Sequence, residues 1–336
     1  MSIFPAEWYP QQSVLIAWPN EKTDWADSLA EVTECYRKIA KAISSRQSLV
    51  IICHDRKKVA DTLGNELNDQ IQLVEAPYND TWIRDYGPLT IFEEGKPKWL
   101  DFQFNGWGKK FEAGKDNALT AFLQKELFPD LALEDHLNFV LEGGSIELDG
   151  KGTLLTTSHC LMANNRNQPL SRGGIEKYLK ESLRVEKVLW LEFGWLEGDD
   201  TDGHIDTIAR FCDENTIAYV KVEDHSDSHY HDFLDMENEL KSFTNVDGKP
   251  YKLVPLPMPD AVFSPEGKRL PATYANFLII NGAVLAPIYN CKQDELALQQ
   301  ISAAFPDKEI IGINCLPLIR QNGSLHCMTM QVPTFD

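Results

Sequence analysis

The sequence lacks the features of membrane insertion and of secretion. No apolar run reaches the roughly 18 residues that a membrane-spanning helix needs. The first residues, Met-Ser-Ile-Phe-Pro-Ala-Glu-Trp, contain neither the basic region nor the apolar region of a signal peptide. These absences argue against a membrane protein and predict a cytoplasmic location.

Positive charge is scarce in this chain. The 336 residues include 32 Lys and Arg against 51 Asp and Glu, which gives a net charge of −19. A phosphate backbone would be repelled on average, so nucleic acid is not an expected partner. An acidic field favours a small cationic substrate, although many acidic proteins use such a charge only to stay soluble.

Cysteines in CxxC pairs are absent as well. The chain has seven cysteines, an odd number, which is typical of reduced thiols rather than of a disulfide framework. Most of them are expected to be small buried apolar groups. Cys53, Cys212 and Cys315 lie in strand-like runs and fit that description.

The sequence does contain a strand–helix–strand pattern that recurs five times. Within each unit, apolar residues at steps of three and four mark the helix, and short apolar runs mark the strands. The predicted units are 14–18, a helix and 49–53; 99–102, a helix near 116–128 and 137–140; 153–156, a helix near 172–183 and 188–191; 216–220, a helix near 228–243 and 251–254; and 283–286, a helix near 293–304 and 309–312.

A loop rich in Gly, Asn or Asp follows each unit, at intervals of about 60 residues. The loops are marked by Asp85, Glu142, Asp206, Tyr274 and Cys327. Equivalent loops of radially repeated units meet at one axis. The pattern predicts a single α/β domain over residues 1–336, a propeller with five-fold pseudo-symmetry. The alternative, a doubly wound parallel sheet, is disfavoured because no GxGxxG follows a strand and because 277–280 and 284–287 resemble a hairpin.

Two of these loops carry groups suited to nucleophilic chemistry. Cys327 stands at a loop-to-strand junction, where a nearby charge can activate a thiol, although an ordinary half-buried cysteine is the alternative. His204 and Asp206 would share one face of a strand, with His204 moving a proton beside a cation held by Asp206. A structural hydrogen-bonded pair is the alternative there.

The other two loops carry carboxylates. Glu142 precedes two glycines that permit close backbone approach, and it could orient His204 as a third group orients the base in a triad. A solvated Glu in a turn is the alternative. Asp85 can pair bidentately with a guanidinium against the ring of Trp82, unless Arg84 and Asp85 form a salt bridge and Trp82 belongs to the core.

A histidine-rich segment carries a further candidate site. On a helix, His225 and His229 would share a face, with His231 nearby. The segment is acidic and contains neither HExxH nor a clear third ligand. No metal site is therefore predicted.

Together these segments resemble the agmatine deiminase family, which is grouped with the porphyromonad-type peptidylarginine deiminases in the guanidino-group-modifying superfamily. The resemblance spans almost the whole chain and is carried by residues 79–88, 104–108, 142–147, 154–157, 164–167, 201–206 and 323–327. It implies a five-bladed α/β-propeller of the pentein type. It also implies a protein without a metal or organic cofactor, and a possible homodimer.

The resemblance also implies roles for individual residues. Cys327 matches the nucleophile, His204 the general acid/base, and Glu142 the partner of that histidine. Asp85 and Asp206 match the carboxylates that bind the guanidinium, and Trp82 matches a tryptophan of the substrate channel. The residues before the nucleophile, 321–326, depart from the usual Gly-Gly-Gly-Asn-Ile-His, and the segment after 104–108 looks shorter than in many members.

The favoured hypothesis is hydrolysis of agmatine to N-carbamoylputrescine and ammonia through a covalent thiouronium on Cys327. Arg84 and Asp200 join Asp85, Asp206 and Trp82 as expected substrate contacts. Free arginine or peptidyl-arginine is the alternative substrate. Its carboxylate would call for a basic pocket, whereas the acidic pair Asp199–Asp200 favours the second cation of agmatine. A non-catalytic guanidine binder and a metal-dependent hydrolase are hypotheses of other classes.

Overall fold

A computed structural model describes residues 2–335 and shows a mixed α/β fold. Met1 and Asp336, which the predicted domain of residues 1–336 includes, lie outside the described residues. The strands are β1 Ser2–Ile3, β2 Gln11–Ala17, β3 Ser48–Cys53, β4 Ile71–Glu75, β5 Leu89–Glu93, β6 Lys96–Gln103, β7 Ala132–Val140, β8 Ile146–Leu148, β9 Thr153–Thr157, β10 Lys187–Leu191, β11 Ala209–Asp213, β12 Thr216–Lys221, β13 Lys252–Pro257, β14 Leu278–Ile280, β15 Ala283–Ile288, β16 Glu309–Asn314 and β17 Thr329–Pro333.

Helices connect these strands. They are α1 Leu29–Ser44, α2 Arg56–Leu63, α3 Ile83–Tyr86, α4 Gly106–Lys109, α5 Leu119–Leu127, α6 Ser158–Leu161, α7 Arg172–Leu183, α8 Tyr230–Ser242, α9 Asp294–Ala304 and α10 Leu316–Ile319. Helix α1 shows why they form: Val32, Tyr36, Ile39 and Ile43 are all buried on one face, so packing against the sheet stabilises the helix. No helix within residues 2–335 is both long and apolar enough to span a bilayer.

The strands of residues 2–335 form five sheets with a common plan. Each sheet contains one of the predicted strand–helix–strand units, whose two strands run parallel: β2 with β3, β6 with β7, β9 with β10, β12 with β13, and β15 with β16. A third strand lies antiparallel beside the first strand of each unit: β17, β5, β8, β11 and β14 respectively. The five units are thus confirmed, and the doubly wound single sheet is wrong.

The predicted hairpin is confirmed in the fifth sheet, where Leu278 pairs with Leu285. The first and second sheets each have one additional edge strand, β4 and β1. Strands β1, β4, β5 and β8 had not been predicted, because these short segments lack a helix to define the pattern around them, whereas β11 and β17 correspond to the strand-like runs expected at Cys212 and after Cys327.

The shared plan places the functional loops in equivalent positions. Asp85, Glu142, Asp206 and Cys327 each lie two to four residues before the antiparallel strand of a sheet. In the fifth sheet that position belongs to Asn276, before β14. The residue chosen as the marker from the sequence, Tyr274, lies two positions earlier in the loop. The Tyr274 hydroxyl is instead bonded to Asp294, 2.6 Å away.

Candidate active site

Three predicted side chains converge on Gly144. Its backbone N–H donates to Asp85 Oδ1 at 3.0 Å. A Cβ atom added to Gly144 would lie 2.6 Å from His204 Nδ1, 2.7 Å from Asp85 Oδ1 and 3.2 Å from Asp206 Oδ2. The absence of a side chain at this glycine therefore leaves the space around which an imidazole and two carboxylates gather.

Cys327 lies at the same site. Its Sγ is 3.7 Å from Asp206 Oδ2 and accepts a hydrogen bond from Asn276 Nδ2 at 3.2 Å. Burial raises the pKa of the Cys327 thiol well above its usual value, and the nearby carboxylates of Asp206 and Asp85 raise it further. In the empty site the thiol is therefore protonated, and a bound cation would favour its ionisation.

His204 is buried, and neither ring nitrogen has a hydrogen-bond partner among residues 2–335. Its Nδ1 is 3.6 Å from Asp85 Oδ1. Burial lowers the pKa of His204 to about 4, although Asp206 opposes that shift. The imidazole is therefore neutral at pH 7 and can accept a proton.

The two carboxylates of the site differ in ionisation. Burial raises the pKa of Asp85 well above its usual range, and the charge of Asp206 adds to that effect. Burial would also raise the pKa of Asp206, but the hydrogen bond and charge of His326 outweigh it and lower that pKa. Asp206 is thus the carboxylate whose charged form the site favours, whereas burial disfavours the charge of Asp85, whose two oxygens both accept hydrogen bonds, from Gly144 N–H and Trp107 Nε1.

The secondary structure of the His204–Asp206 loop is not the predicted strand. Ile205–Thr207 forms a single 3-10 turn that begins after His204. The two side chains still reach one site, because both approach the position above Gly144. The proximity was correctly predicted, and the geometric reason given for it was wrong.

Glu142 is buried near His204 but is bound by another residue. Arg166 Nε lies 2.7 Å from Glu142 Oε1. An oxygen of Glu142 and a ring nitrogen of His204 lie within 4.8 Å of each other, yet neither group has a hydrogen bond to the other. The predicted pairing of Glu142 with His204 is therefore not a direct hydrogen bond in this structure. The guanidinium of Arg166 attracts the carboxylate because both are shielded from water.

The side chain of Arg84, an expected substrate contact, is turned away from Asp85. It neighbours Asp85 on the four-residue helix α3, where consecutive side chains are about 100° apart and therefore point in different directions. Its guanidinium is buried 3.5 Å from the carbonyl of His326 and 4.0 Å from Glu7, behind the site. The alternative Arg84–Asp85 salt bridge is absent among the described ion pairs as well.

Asp85 and Cys327 lie in a cleft of about 530 Å³, a volume that includes its solvent-open mouth. Trp82 lines the cleft, as predicted, and its ring packs so closely on Gly323 that a Cβ there would lie 2.4 Å away. Asp200 also lines it, as predicted, and accepts from Asn322 Nδ2 at 3.1 Å. The acidic residues of the lining are Asp24, Asp80, Asp85, Asp199 and Asp200, and no Lys or Arg of the described chain is among the lining residues.

Sequence analysis assigned no role to four residues that build the site. Trp107 donates from Nε1 to Asp85 Oδ2 at 2.9 Å, Asn276 contacts the thiol, Arg166 holds Glu142, and His326 holds Asp206 at 2.7 Å. Trp107, Arg166 and His326 lie in the segments that carry the family resemblance, so a signal was present. Asn276 could have been found by treating the fifth loop like the other four.

Two buried groups of side chains have the composition of metal ligands. They are Glu142, Cys160 and His204, and Glu7, Glu147 and His326, each with ligand atoms within 4.8 Å. In both groups a carboxylate is already paired with a guanidinium, that of Arg166 in the first and of Arg210 in the second. An arginine thus supplies the positive charge that a metal ion would bring.

The predicted histidine cluster is dispersed. The ring of His229 is bonded on both sides, by Asp227 at 2.8 Å and by the backbone N–H of Glu197 at 2.9 Å. His225 instead stacks on Tyr230. His229 therefore holds two loops together and offers no free nitrogen.

Comparison with known proteins places these observations in a family. The sequence profile of the Porphyromonas-type peptidyl-arginine deiminase family matches residues 3–333. An agmatine deiminase of Medicago truncatula is 32% identical, over 98% of this chain and 96% of the relative.

Solved structures agree with that assignment. A C. jejuni agmatine deiminase with substrate bound is 40% identical, with a TM-score of 0.93 over 99% of this chain and 97% of the other. A Porphyromonas gingivalis protein, provisionally named an arginine deiminase, is 52% identical, with a TM-score of 0.95 over 100% and 99% of the two chains.

Proposed function

The chain belongs to the Porphyromonas-type peptidyl-arginine deiminase family, and from that premise we propose that it is an agmatine deiminase, a hydrolase acting on the C–N bond of a linear amidine. One observation carries the proposal. A thiol, an imidazole and two carboxylates meet beside Gly144 at the end of a cleft lined by acids. Relatives named agmatine deiminase support the reaction.

The acidic lining supports agmatine over arginine. Agmatine carries an ammonium at the end opposite its guanidinium, which Asp80, Asp199 and Asp200 would attract. The carboxylate of arginine would meet these same acids with no Lys or Arg of the described lining to compensate. Lys110, near the mouth, is already bonded to the Asp200 carbonyl and to Asp202, at 2.6 and 2.7 Å. Arginine remains the second candidate, because the P. gingivalis relative is provisionally named an arginine deiminase.

In the proposed reaction the guanidinium enters between Asp206 and Asp85, whose bidentate geometry matches its donors. Its positive charge reverses the unfavourable field at Cys327, so the thiol passes its proton to neutral His204 and attacks the guanidine carbon. His204 then gives that proton to the departing nitrogen, and ammonia leaves a thiouronium on Cys327. A water molecule attacks this carbon and gives its proton to His204. The tetrahedral adduct then collapses: the Cys327 sulfur departs and takes the hydroxyl proton, which restores the thiol and releases N-carbamoylputrescine, and His204 returns its proton to the solvent.

The residues divide the work. Cys327 is the nucleophile, and His204 moves the proton. Asp85 and Asp206 bind the guanidinium, and Trp82 lies along the channel. Glu142 acts through its charge near His204 while it is paired with Arg166, rather than through a direct hydrogen bond. The reaction needs no metal or organic cofactor, because each proton and bond is accounted for by these side chains.

Wider features belong to the same proposal. The five sheets surround one axis as a five-bladed propeller of the pentein type, in a single domain over residues 1–336. Their common strand order and the convergence of their loops support this. The protein acts in the cytoplasm on polyamine precursors for putrescine synthesis, as a homodimer and without nucleic acid. Light scattering after size-exclusion chromatography tests the dimer.

The test measures ammonia and ureido product from agmatine, arginine and a peptide ending in arginine, side by side. Cys327→Ser removes the nucleophile, and Cys291→Ser, at a half-buried thiol outside the cleft lining, is the matched control. Turnover of agmatine alone, lost only in Cys327→Ser, is the expected result. Activity on an arginine compound alone would overturn the proposal that agmatine is the substrate. Full turnover by Cys327→Ser would overturn the proposal that Cys327 is the nucleophile.

A further inference from the structure

A chain of buried side chains runs from the back of the molecule to the thiol. Glu7 Oε2 and His326 Nε2 are 2.7 Å apart, and His326 Nδ1 and Asp206 Oδ2 are also 2.7 Å apart. The same Oδ2 atom lies 3.7 Å from Cys327 Sγ. His326 thus bridges two carboxylates, and the second of these faces the reacting sulfur.

The hydrogen bonds fix the protonation of His326. An ionised carboxylate can only accept hydrogen bonds, and a neutral imidazole has only one N–H. Both oxygens of Glu7 act as acceptors, Oε1 from the Ile279 N–H and Oε2 from Arg210, each at 2.7 Å. A carboxyl group is ordinarily a much stronger acid than an imidazolium, so the proton shared by Asp206 and His326 lies on the ring. With a carboxylate at each ring nitrogen, His326 must donate twice and is an imidazolium.

Charge balance in the surrounding interior leads to the same conclusion. The carboxylates that face this histidine are Glu7 from the N-terminal segment, Glu147 from β8 and Asp206 from its 3-10 turn. The guanidinium groups are Arg84 from α3 and Arg210 from β11. Burial raises the pKa of Glu147, while the adjacent Arg210 opposes that shift. Arg210 pairs with Glu7 and Glu147 and Arg84 lies 4.0 Å from Glu7, so His326 is the basic side chain that is hydrogen-bonded to Asp206.

We propose that His326, held doubly protonated by Glu7, is a positioning residue that holds Asp206 and offsets its charge beside the Cys327 thiol. The offset acts on Oδ2, the oxygen nearest the sulfur. Asp206 Oδ1 has no partner among residues 2–335 and stays available for a guanidinium. The inference rests on the proposed function only in taking Cys327 as the reacting thiol.

The arrangement also explains why a carboxylate can lie so close to a nucleophile. An uncompensated Asp206 would repel a thiolate at 3.7 Å and keep Cys327 protonated. His204, the other imidazole of the site, supplies no compensating charge, because burial lowers its pKa to about 4. His326 is therefore the nearest compensating cation that is present before substrate binds.

The first experiment measures the proton count on His326 directly. Histidine labelled with ¹⁵N is observed by NMR between pH 6 and 9, and the signals of His326 are identified by their loss in His326→Gln. We expect both ring nitrogens to carry a proton in the wild-type protein at pH 7, because each contacts a carboxylate. In Glu7→Gln one of these two acceptors is gone, so one ring nitrogen should lose its proton. A neutral ring in the wild-type protein at pH 7 would overturn the proposal.

The matched control is Glu147→Gln. Glu147 pairs with the same Arg210 and accepts from the Phe211 N–H at 3.0 Å, but it has no hydrogen bond to His326. It is equally buried, so its loss of stability on urea unfolding should resemble that of Glu7→Gln. We expect its His326 ring to stay doubly protonated. The same titration in both variants would show that Arg210, rather than the direct contact, is responsible, and would overturn the assignment.

The second experiment follows the sulfur without any substrate. The rate of Cys327 alkylation by iodoacetamide reports the thiolate fraction, and the Cys327→Ser protein supplies the background. His326→Gln retains a donor for Asp206 but has no charge, and we expect alkylation about tenfold slower at pH 8, equivalent to one pKa unit. Glu7→Gln removes one of the two acceptors that face the His326 ring, and we expect its alkylation at pH 8 to be slower than that of the wild type as well. Equal rates in all three proteins would refute the role of the cation.

These readouts separate the inference from the proposed function. If agmatine is not turned over but His326 is an imidazolium and its loss slows alkylation, the proposed substrate fails and this inference stands. If agmatine is turned over but the alkylation rate of Cys327 does not depend on His326, the inference alone fails. Steady-state assays then separate kcat from KM: His326→Gln should lower kcat more than it raises KM, because a hydrogen-bond donor to Asp206 remains.

Discussion

The empty space at Gly144 leads to the sharpest prediction. In Gly144→Ala the new methyl would lie 2.6 Å from His204 Nδ1 and 2.7 Å from Asp85 Oδ1. Real Cβ contacts are essentially never shorter than 3.0 Å, so both side chains must move back by roughly 0.5 Å in a closely packed interior. The methyl would also occupy space that a guanidinium needs.

The magnitude follows from that displacement. A shift of about 1 Å in a reacting group can cost about 100-fold in rate, so we expect kcat/KM for agmatine to fall by about 10- to 100-fold, or about 1.4–2.7 kcal/mol. Overpacking costs about 1–3 kcal/mol of stability, and replacing Gly by Ala returns about 0.4–1 kcal/mol through the unfolded chain. The protein should therefore remain folded while it loses activity.

The assay compares kcat/KM and urea unfolding for wild type, Gly144→Ala and Gly173→Ala. Gly173 lies in α7, where an added Cβ would meet no atom within 4 Å, so this control should keep full activity. Activity of Gly144→Ala within threefold of wild type would refute the reasoning, because it would mean that the reaction does not occur where His204, Asp85 and Asp206 converge.

Three further perturbations test the cleft and its support. Burial and the charge of Asp24 raise the pKa of Asp80 to about 7. Because the ionised carboxylate attracts the ammonium of agmatine, kcat/KM for agmatine should rise between pH 6 and 8, and Asp80→Asn should flatten that rise. An unchanged pH profile in the variant would exclude Asp80 as a cation contact. Burial raises the pKa of Asp116 to about 8 from an unfolded value near 3.8, so the folded state binds an extra proton and its stability falls as pH rises from about 4 to about 8. Urea unfolding of Asp116→Asn should show a smaller fall, and an equal fall would contradict the assignment. Trp107→Phe removes the donor to Asp85 and should raise KM about fivefold, a loss of about 1 kcal/mol, with Trp195→Phe as the exposed control; a fall in kcat alone would contradict it.

The regular part of the fold could be predicted because it is repeated. Each helix between parallel strands has an apolar face set by local periodicity, and α7 has the predicted bounds of 172 and 183. The antiparallel strands are shorter, and β8 has three residues, too few for a period to be read. Their pairing depends on tertiary contacts that sequence spacing does not contain.

The same limit applies to the site. The meeting of Cys327, His204, Asp85 and Asp206 at one place could be predicted, because the loops that carry them hold equivalent positions in the repeat. The direction in which a side chain points could not be predicted, and Arg84 is an example. Its charge suggested a contact with the ligand, whereas its position on α3 turns it toward Glu7. The pairing of Glu142 with Arg166 depends on two loops whose approach only the folded chain defines.

The position of the thiol also has a consequence during protein synthesis. Strand β17, directly after Cys327, pairs with β2 near the start of the chain, and Glu7 and His326 are 319 residues apart. At about 5–20 residues per second, a ribosome takes roughly 15–65 s to connect these two ends. Until Cys327 is added, the nascent chain contains acids and an imidazole of the site but not the nucleophile. Cys327 is synthesised just before β17, the strand that completes the first sheet, so a chain that ends before this point cannot begin the chemistry.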